Sequence, residues 1–104
     1  MIEKRLLCPA RVRRVPAHFS WVDHRLVRDQ LLPRADAKAW ALYLVLVTVG
    51  DEHGLSYYSD ASLSRLLSLS LEEVSAARRQ LLAAALIAHE EPLYQVLALD
   101  GGIR

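Results

Sequence analysis

Two short helices separated by a tight break constrain the fold of this chain more than any other feature of its sequence. Residues 60–67 and 70–85 each carry apolar residues at helical spacing, and "SLS" interrupts the two runs. Ser59 is positioned to cap the first helix, and Ser70 with Glu73 forms a capping box at the start of the second. We therefore expect two packed helices joined by a short turn. Their predicted inward-facing residues are Leu63, Leu66 and Leu67 in the first helix and Val74, Ala77, Leu81 and Ala85 in the second.

The residues on either side of this helix pair predict two further helices, a short strand and a hairpin. "SWVDHRLVRDQLL" has apolar residues at helical spacing, with Ser20 or Asp23 as its cap, and Pro33 ends it. A longer helix begins at about Ala35, and its apolar stripe consists of Trp40, Tyr43, Leu44 and Val47, widened by Leu42, Leu46 and Val49. "LSYYS" predicts a short strand, and "LIAHE" and "LYQVLAL" predict a hairpin around an "EP" turn. The chain is thus predicted to be mainly α with a small β-sheet, in the order helix, helix, short strand, helix, helix, β-hairpin.

Length and composition favour one compact domain. A chain of 104 residues suits a single core, and 53% hydrophobic with 24% charged residues predicts folding rather than disorder. One cysteine, Cys8, excludes an internal disulfide framework and favours a cytoplasmic location. The longest apolar run, residues 39–47, is too short to span a membrane, and residues 1–15 lack the apolar run of a signal peptide. We expect a cytoplasmic domain over residues 20–99 and a flexible tail over 100–104.

Charge is distributed unevenly along the chain, although the net charge is only +1. Residues 1–34 hold eight basic and three acidic side chains, whereas residues 35–104 hold five basic and nine acidic ones. Residues 1–19 lack helical periodicity and contain Pro9 and Pro16. The segment between the two prolines, residues 10–15, is either a short edge strand or an extended arm. This charge distribution predicts either a basic arm that binds anions, attached to a mildly acidic body, or a solvated, arginine-rich tail.

The region 59–99 resembles the winged helix-turn-helix domain of small bacterial regulators of the multiple-antibiotic-resistance-repressor type. In that family an apolar helix, a Leu-x-x-Ser turn, a second helix with Val and a later Leu, and a closing Gly-Leu-Ile lead into a hairpin called the wing. The matching positions here are Leu63, Leu67, Leu69, Ser70, Val74, Leu81, Leu86 and Ile87. "FSWVDHRLVRD", "LSYYSDASL" and "PLYQVLAL" are also similar to segments of small winged-helix proteins of bacterial genomes and mobile elements. In the winged-helix layout, the short strand pairs with the hairpin.

Three positions depart from this family pattern. Ser68 replaces the usual turn glycine, and Ala85 replaces the glycine before Leu-Ile, so those turns are expected either to be made in another way or to be slightly strained. Arg78 occupies a position that is normally apolar. We expect its aliphatic stem to line the edge of the core while its guanidinium emerges into solvent.

The resemblance implies double-stranded DNA as the partner, with the second helix of the pair in the major groove. Small side chains at Ser75 and Ala76 permit close approach, Arg79 is suited to guanine, and Gln80 is suited to adenine. The arginines expected to reach phosphates or a minor groove are Arg65 and Arg78 together with Arg11, Arg13 and Arg14 of the arm.

Four glutamates oppose this interpretation. Glu72 and Glu73 open the second helix, and Glu90 and Glu91 form the hairpin tip, where a DNA-bound wing carries basic residues. Helix-start chemistry accounts for the first two, because a capping box uses Glu73 and the positive end of the helix favours Glu72. The hairpin tip has no such explanation and is expected to be repelled by phosphate.

The sequence contains no pattern for catalysis, for a cofactor or for a metal site. Phosphate-binding loops and nucleophile elbows are absent, and Asp51, Glu52 and His53 are more typical of a solvated turn than of acid–base chemistry. The cysteine and the four histidines are not spaced as metal ligands are; they are Cys8, His18, His24, His53 and His89. We therefore do not expect an enzyme.

Two hypotheses of function follow from these residues. The first is a homodimeric DNA-binding winged-helix protein, either a transcriptional regulator or an accessory factor of a mobile element or replicon. The dimer is expected because two-fold sites suit such domains and because "AWALYLVLV" is apolar on more sides than one small domain covers. The second is a winged helix used as a protein–protein interaction module, whose acidic helix and wing meet a basic partner.

Overall fold

A computed structural model describes residues 3–99, which form four α-helices and three short strands. The elements are α1 (Arg25–Arg28), α2 (Ala37–Val49), β1 (Leu55–Tyr57), α3 (Asp60–Leu67), α4 (Leu71–Ala83), β2 (Ile87–Glu90) and β3 (Leu93–Val96). Single 3-10 turns cover Pro9–Arg11 and Leu32–Arg34. The predicted class, mainly α with a small β-sheet, is confirmed, and so is the predicted order of the elements. The tail predicted at 100–104 lies outside the described residues.

The three strands form one antiparallel sheet in the order β1-β3-β2. β3 is the central strand, with Tyr94 opposite Ser56 on one side and opposite His89 on the other. The short strand therefore pairs with the hairpin, as predicted. This pairing brings the end of β3 beside the turn that follows α2, where Val96 N–H donates to Gly54 O at 2.9 Å.

The core lies between α2, α3, α4 and the sheet. α2 packs against α4, and both helices also contact the sheet. The largest side chains that are fully buried are Leu42, Leu46, Leu63, Val74, Leu81 and Tyr94. Every helix of the α2–α4 region contributes to this set, so the helix pair and the sheet share a single core.

The predicted helix starts at α3 and α4 are confirmed at the level of individual hydrogen bonds. Ser59 Oγ accepts from Ser62 N–H at 3.1 Å. Ser70 Oγ accepts from Glu73 N–H at 3.0 Å, and Glu73 Oε1 accepts from Ser70 N–H at 2.9 Å, which completes the capping box. A cap of this kind contributes about 0.5–2 kcal/mol, so these local signals are sufficient to place the start of each helix.

The turns at Ser68 and Ala85 adopt left-handed backbone, which is the strained one of the two alternatives. Ser68 has φ +57° and Ala85 has φ +59°. Left-handed backbone costs a residue with a Cβ roughly 1–2 kcal/mol. Leu69 N–H donates to Ser64 O at 3.1 Å and Leu86 N–H donates to Leu81 O at 3.0 Å, and these bonds offset the cost by satisfying the last helical carbonyls.

The predicted first helix is much shorter than expected. α1 spans one turn, and Gln30, with φ +57°, ends the helical path before Pro33 is reached. Neither predicted cap is the N-cap of α1, which is His24 and makes no side-chain capping bond. Asp23 precedes it, and its Oδ1 accepts from Arg25 N–H at 2.9 Å. Ser20 instead donates to Thr48 O at 3.2 Å. The helix is short because Leu26 is its only buried residue, so packing does not favour further turns.

Several predicted core positions are wrong. Leu44 is 60% exposed and Leu66 is 58% exposed, while Val49 and Ala85 also lie at the surface. The buried stripe of α2 consists of Ala39, Leu42, Tyr43 and Leu46. Because α2 is apolar around most of its circumference, its sequence does not indicate which stripe faces α4.

Candidate nucleic-acid interface

The exposed face of α4 is the side opposite Val74, Ala77 and Leu81. Arg79 lies on this face, and its Nη1 donates to Ser75 Oγ at 2.9 Å, so these two residues share one side of the helix. Ser75 and the neighbouring Ala76 are half-buried. A guanidinium beside two small side chains can approach a base edge or a phosphate without steric obstruction.

Arg65 supplies a second exposed guanidinium from α3. Its Nη2 lies 3.4 Å from Ser62 Oγ within the same helix. This contact is long and leaves the charge at the surface, where phosphate can replace the hydroxyl as a partner.

Glu73 does not contribute an unbalanced negative charge to this face. Besides its capping bond to Ser70, its Oε2 forms an ion pair with Lys38 Nζ of α2. The Lys38 hydrogen bond, followed by that from Ser70, lowers the pKa of Glu73, so the carboxylate is anionic and already matched by an ammonium. Glu72 remains as the exposed acid at the start of α4.

Arg78 is engaged inside the fold rather than at the surface. Its Nη1 donates to Asp60 Oδ1 at 2.7 Å and to Tyr94 Oη at 2.9 Å, and its Nη2 donates to Asp60 Oδ2 at 3.2 Å. The side chain is only 15% exposed, so the predicted emergence of its guanidinium is wrong. The hydrogen bonds from Arg78 lower the pKa of Asp60 and those to Asp60 raise the pKa of Arg78. This cluster ties α3 and α4 to the central strand.

Gln80 is also occupied by a structural contact. Its Nε2 donates to Asp36 Oδ2 at 3.0 Å, and its Oε1 accepts from Asp36 N–H at 2.7 Å. Asp36 is the cap of α2, because its Oδ1 accepts from Ala39 N–H at 2.9 Å. Both functional groups of the Gln80 amide therefore hold α4 against the start of α2, and a contact with adenine requires breaking both bonds.

Arginines 78 and 79 are expected to differ sharply in their effects on stability. Arg78→Ala is expected to lower the free energy of unfolding by about 1–3 kcal/mol, because the buried Tyr94 and the partly exposed Asp60 both lose their donor. Arg79→Ala is expected to change it by no more than about 0.5 kcal/mol. Urea denaturation followed by circular dichroism measures both, and equal values for the two variants would contradict the assigned roles.

The N-terminal arm is exposed along its described length. Arg11 ends a 3-10 turn at Pro9–Arg11, the chain continues in extended backbone at Val12, and Arg13 and Arg14 are exposed. No strand forms within residues 3–22, so the extended arm, rather than the edge strand, is the correct alternative. The three guanidinium groups at 11, 13 and 14 are therefore accessible to an anionic partner.

The hairpin tip carries exposed carboxylates. Glu90 and Glu91 both lie at the surface. His89 stacks on Tyr94 with ring centroids 4.2 Å apart, and its Nε2 lies 3.2 Å from Glu91 Oε1 without hydrogen-bond geometry. Burial, and then the charge of Arg78, lowers the pKa of His89, which favours the neutral ring. The hairpin tip is therefore acidic, and its carboxylates would repel the phosphates of DNA.

Lys38 and Asp36 are the residues of this region that the sequence did not indicate. Both belong to the start of α2, and both contact α4 across a helix packing interface.

No group of three or more His, Cys, Asp or Glu among residues 3–99 is arranged to hold a metal ion. No helix within the same range is both long enough and apolar enough to cross a membrane. Comparison with known proteins finds no matching family model, no matching curated protein and no matching solved structure.

Proposed function

We propose that this chain is a DNA-binding winged-helix protein whose contacts are led by the arm and by Arg79. The observation that carries the proposal is the charge on the exposed face of α4: Glu73 is matched by Lys38, while Arg79 is exposed beside Ser75 and Ala76. Glu72 is then the exposed acid of α4 without such a partner, and it lies on the same helix as the small residues that admit a base edge.

Each proposed contact has a separate chemical role. The exposed arginines of the arm bind phosphates or enter the minor groove, and Arg65 binds a phosphate next to α3. Arg79 reads guanine from the major groove. Arg78 and Gln80 support the interface indirectly, because their side chains hold α4 in position through Asp60, Tyr94 and Asp36.

A homodimer suits this small set of contacts. One domain offers few guanidinium groups to phosphate, and doubling the set by two-fold symmetry increases both affinity and the length of DNA that is read. The exposed Leu44 on α2 is an apolar residue that a second copy would cover. We propose that the dimer acts in the cytoplasm as a transcriptional regulator or as an accessory factor of a mobile element or replicon.

Binding to random-sequence duplex DNA, followed by fluorescence anisotropy at several salt concentrations, tests this proposal. We expect an affinity that falls steeply between about 50 and 200 mM salt, because each phosphate contact releases counterions. Selection from a random pool then tests Arg79, whose replacement by alanine is expected to change the preferred sequence. A chain that binds no DNA even at the lowest salt concentration would overturn the proposal.

The exposed acids favour a second candidate function, a protein-interaction module. Glu72, Glu90 and Glu91 are all exposed, and the last two form the hairpin tip. A basic protein surface would bind this tip, whereas DNA would not. The same titration separates the candidates, because the module is expected to bind a lysine-rich peptide at low salt and not to bind duplex DNA.

A further inference from the structure

A cavity of about 480 Å³ lies on the side of the domain formed by the C-terminal half of α2. Its other walls are the segment 19–25, the turn at 50–54 and residues 95–99 at the end of the sheet. Tyr43, Leu46 and Val96 supply apolar lining, and the exposed rings of Phe19 and Trp21 stand at its edge. This volume and mixed lining are typical of a small-molecule site.

The walls of the cavity are fixed by hydrogen bonds. Ser20 Oγ donates to Thr48 O at 3.2 Å, which fastens the aromatic segment to α2. In the turn, Asp51 Oδ1 accepts from His53 N–H at 2.8 Å and from Leu55 N–H at 2.9 Å. Gly54 has φ +81°, and a Cβ there would lie 2.8 Å from Val96 O, so the turn and β3 are in close contact. The cavity is therefore formed before any ligand binds.

The charged groups of the lining are predominantly acidic. Asp23 and Arg25 balance each other, since both Asp23 oxygens accept from the Arg25 guanidinium at 2.6–3.1 Å. The carboxylates of Asp51 and Glu52 remain, next to the imidazole of His53. Hydrogen bonds from the backbone of Leu55 and His53 lower the pKa of Asp51 and so favour its anionic form. The cavity thus combines apolar and aromatic walls with a negative turn.

We propose that this cavity binds a compact organic cation, an ammonium or phosphonium with an aromatic or aliphatic body. Aromatic rings attract cations, and Phe19, Trp21 and Tyr43 line the cavity. The carboxylates of the turn attract a cation by charge. An anion of the same shape would gain the apolar contacts but would be repelled by the turn. The site is separate from the exposed face of α4 and does not depend on DNA binding.

Tetraphenylphosphonium and tetraphenylborate provide a direct test, because the two ions share a shape and differ in the sign of their charge. The readout is the pair of indole N–H cross-peaks in a ¹H–¹⁵N spectrum of the full chain. We expect the phosphonium to shift the Trp21 peak in a saturable manner. The Trp40 peak is expected to shift much less, because its Nε1 donates to Leu32 O at 2.8 Å and its ring meets the cavity only through its edge contact with Tyr43. The borate is expected to leave both peaks in place.

Matched variants test the role of the turn. Glu52→Gln is expected to weaken phosphonium binding about fivefold, and Glu90→Gln, which removes the same charge from the hairpin tip, is expected to leave it unchanged. The proposal would be overturned if the two ions shifted the Trp21 peak equally or if neither ion shifted it. Equal effects of the two variants on phosphonium binding would also overturn it. A Trp21 shift that follows protein concentration without added cation would also overturn it, by assigning the cavity to a second copy of the chain.

Discussion

Replacing Arg11, Arg13 and Arg14 together with alanine is expected to weaken binding to duplex DNA by about 10- to 100-fold near 0.15 M salt. Each guanidinium in the proposed complex neutralises a phosphate, and its removal forfeits the entropy of one released counterion. The slope of log affinity against log salt concentration is expected to decrease by about 2–3 for the same reason. Fluorescence anisotropy titrations at several salt concentrations measure both quantities. The fold is expected to be unaffected, because the arm is exposed throughout.

A charge-matched pair of variants controls for net charge. Arg13→Ala/Arg14→Ala removes two charges from the arm, and Arg28→Ala/Arg34→Ala removes two exposed charges from the body of the domain. We expect the arm pair to reduce both the affinity and the salt slope, and the body pair to have a much smaller effect. Equal losses from the two pairs would contradict a specific role for the arm and would indicate a general electrostatic attraction instead.

Leu63→Ala is expected to lower the free energy of unfolding by about 2–5 kcal/mol. Leu63 is fully buried, and its removal leaves a cavity in the core that α3 shares with α2 and α4. Since a domain of this size is typically stable by only about 5–15 kcal/mol, the loss is a large part of the total. Urea denaturation followed by far-ultraviolet circular dichroism gives the value.

Leu66→Ala on the same helix is the matched control. The sequence predicts both leucines to face inward, but Leu66 is 58% exposed, so its replacement is expected to change stability by no more than about 0.5 kcal/mol. Both variants remove the same side-chain atoms from α3, and the two leucines differ in how deeply they are buried. Similar losses of stability would show that α3 is rotated from the orientation described above.

The parts of the fold that the sequence predicted correctly depend on neighbouring residues. Ser59 and Ser70 each accept a hydrogen bond from a backbone N–H three residues ahead, so their spacing in the sequence already specifies the start of α3 and α4. The turn residues around "LSYYS" and "EP" likewise delimit the strands. For α1 the sequence predicts too many turns, because periodicity alone does not show how much of a segment has a surface on which to pack.

The sequence indicates less about the candidate site than about the fold. The sequence suggests DNA contacts for Arg78 and Gln80, because arginine and glutamine are suited to phosphates and bases. In the structure their partners are Tyr94, 16 residues away, and Asp36, 44 residues away. A side chain with a strong hydrogen-bonding group binds whichever partner the fold brings close, and its residue type does not identify that partner.

The sequence by itself determined the class of the fold, the order of its elements and the starts of α3 and α4, because periodicity and capping act over three or four residues. Only the tertiary structure decided which side of the apolar helix α2 is buried and which charges remain at the surface. Lys38 matches Glu73 across 35 residues of chain, and Asp60 and Tyr94 hold Arg78 inside. Packing of α2 and the sheet against α4 forms these pairs, and it leaves Arg79 and the arm exposed.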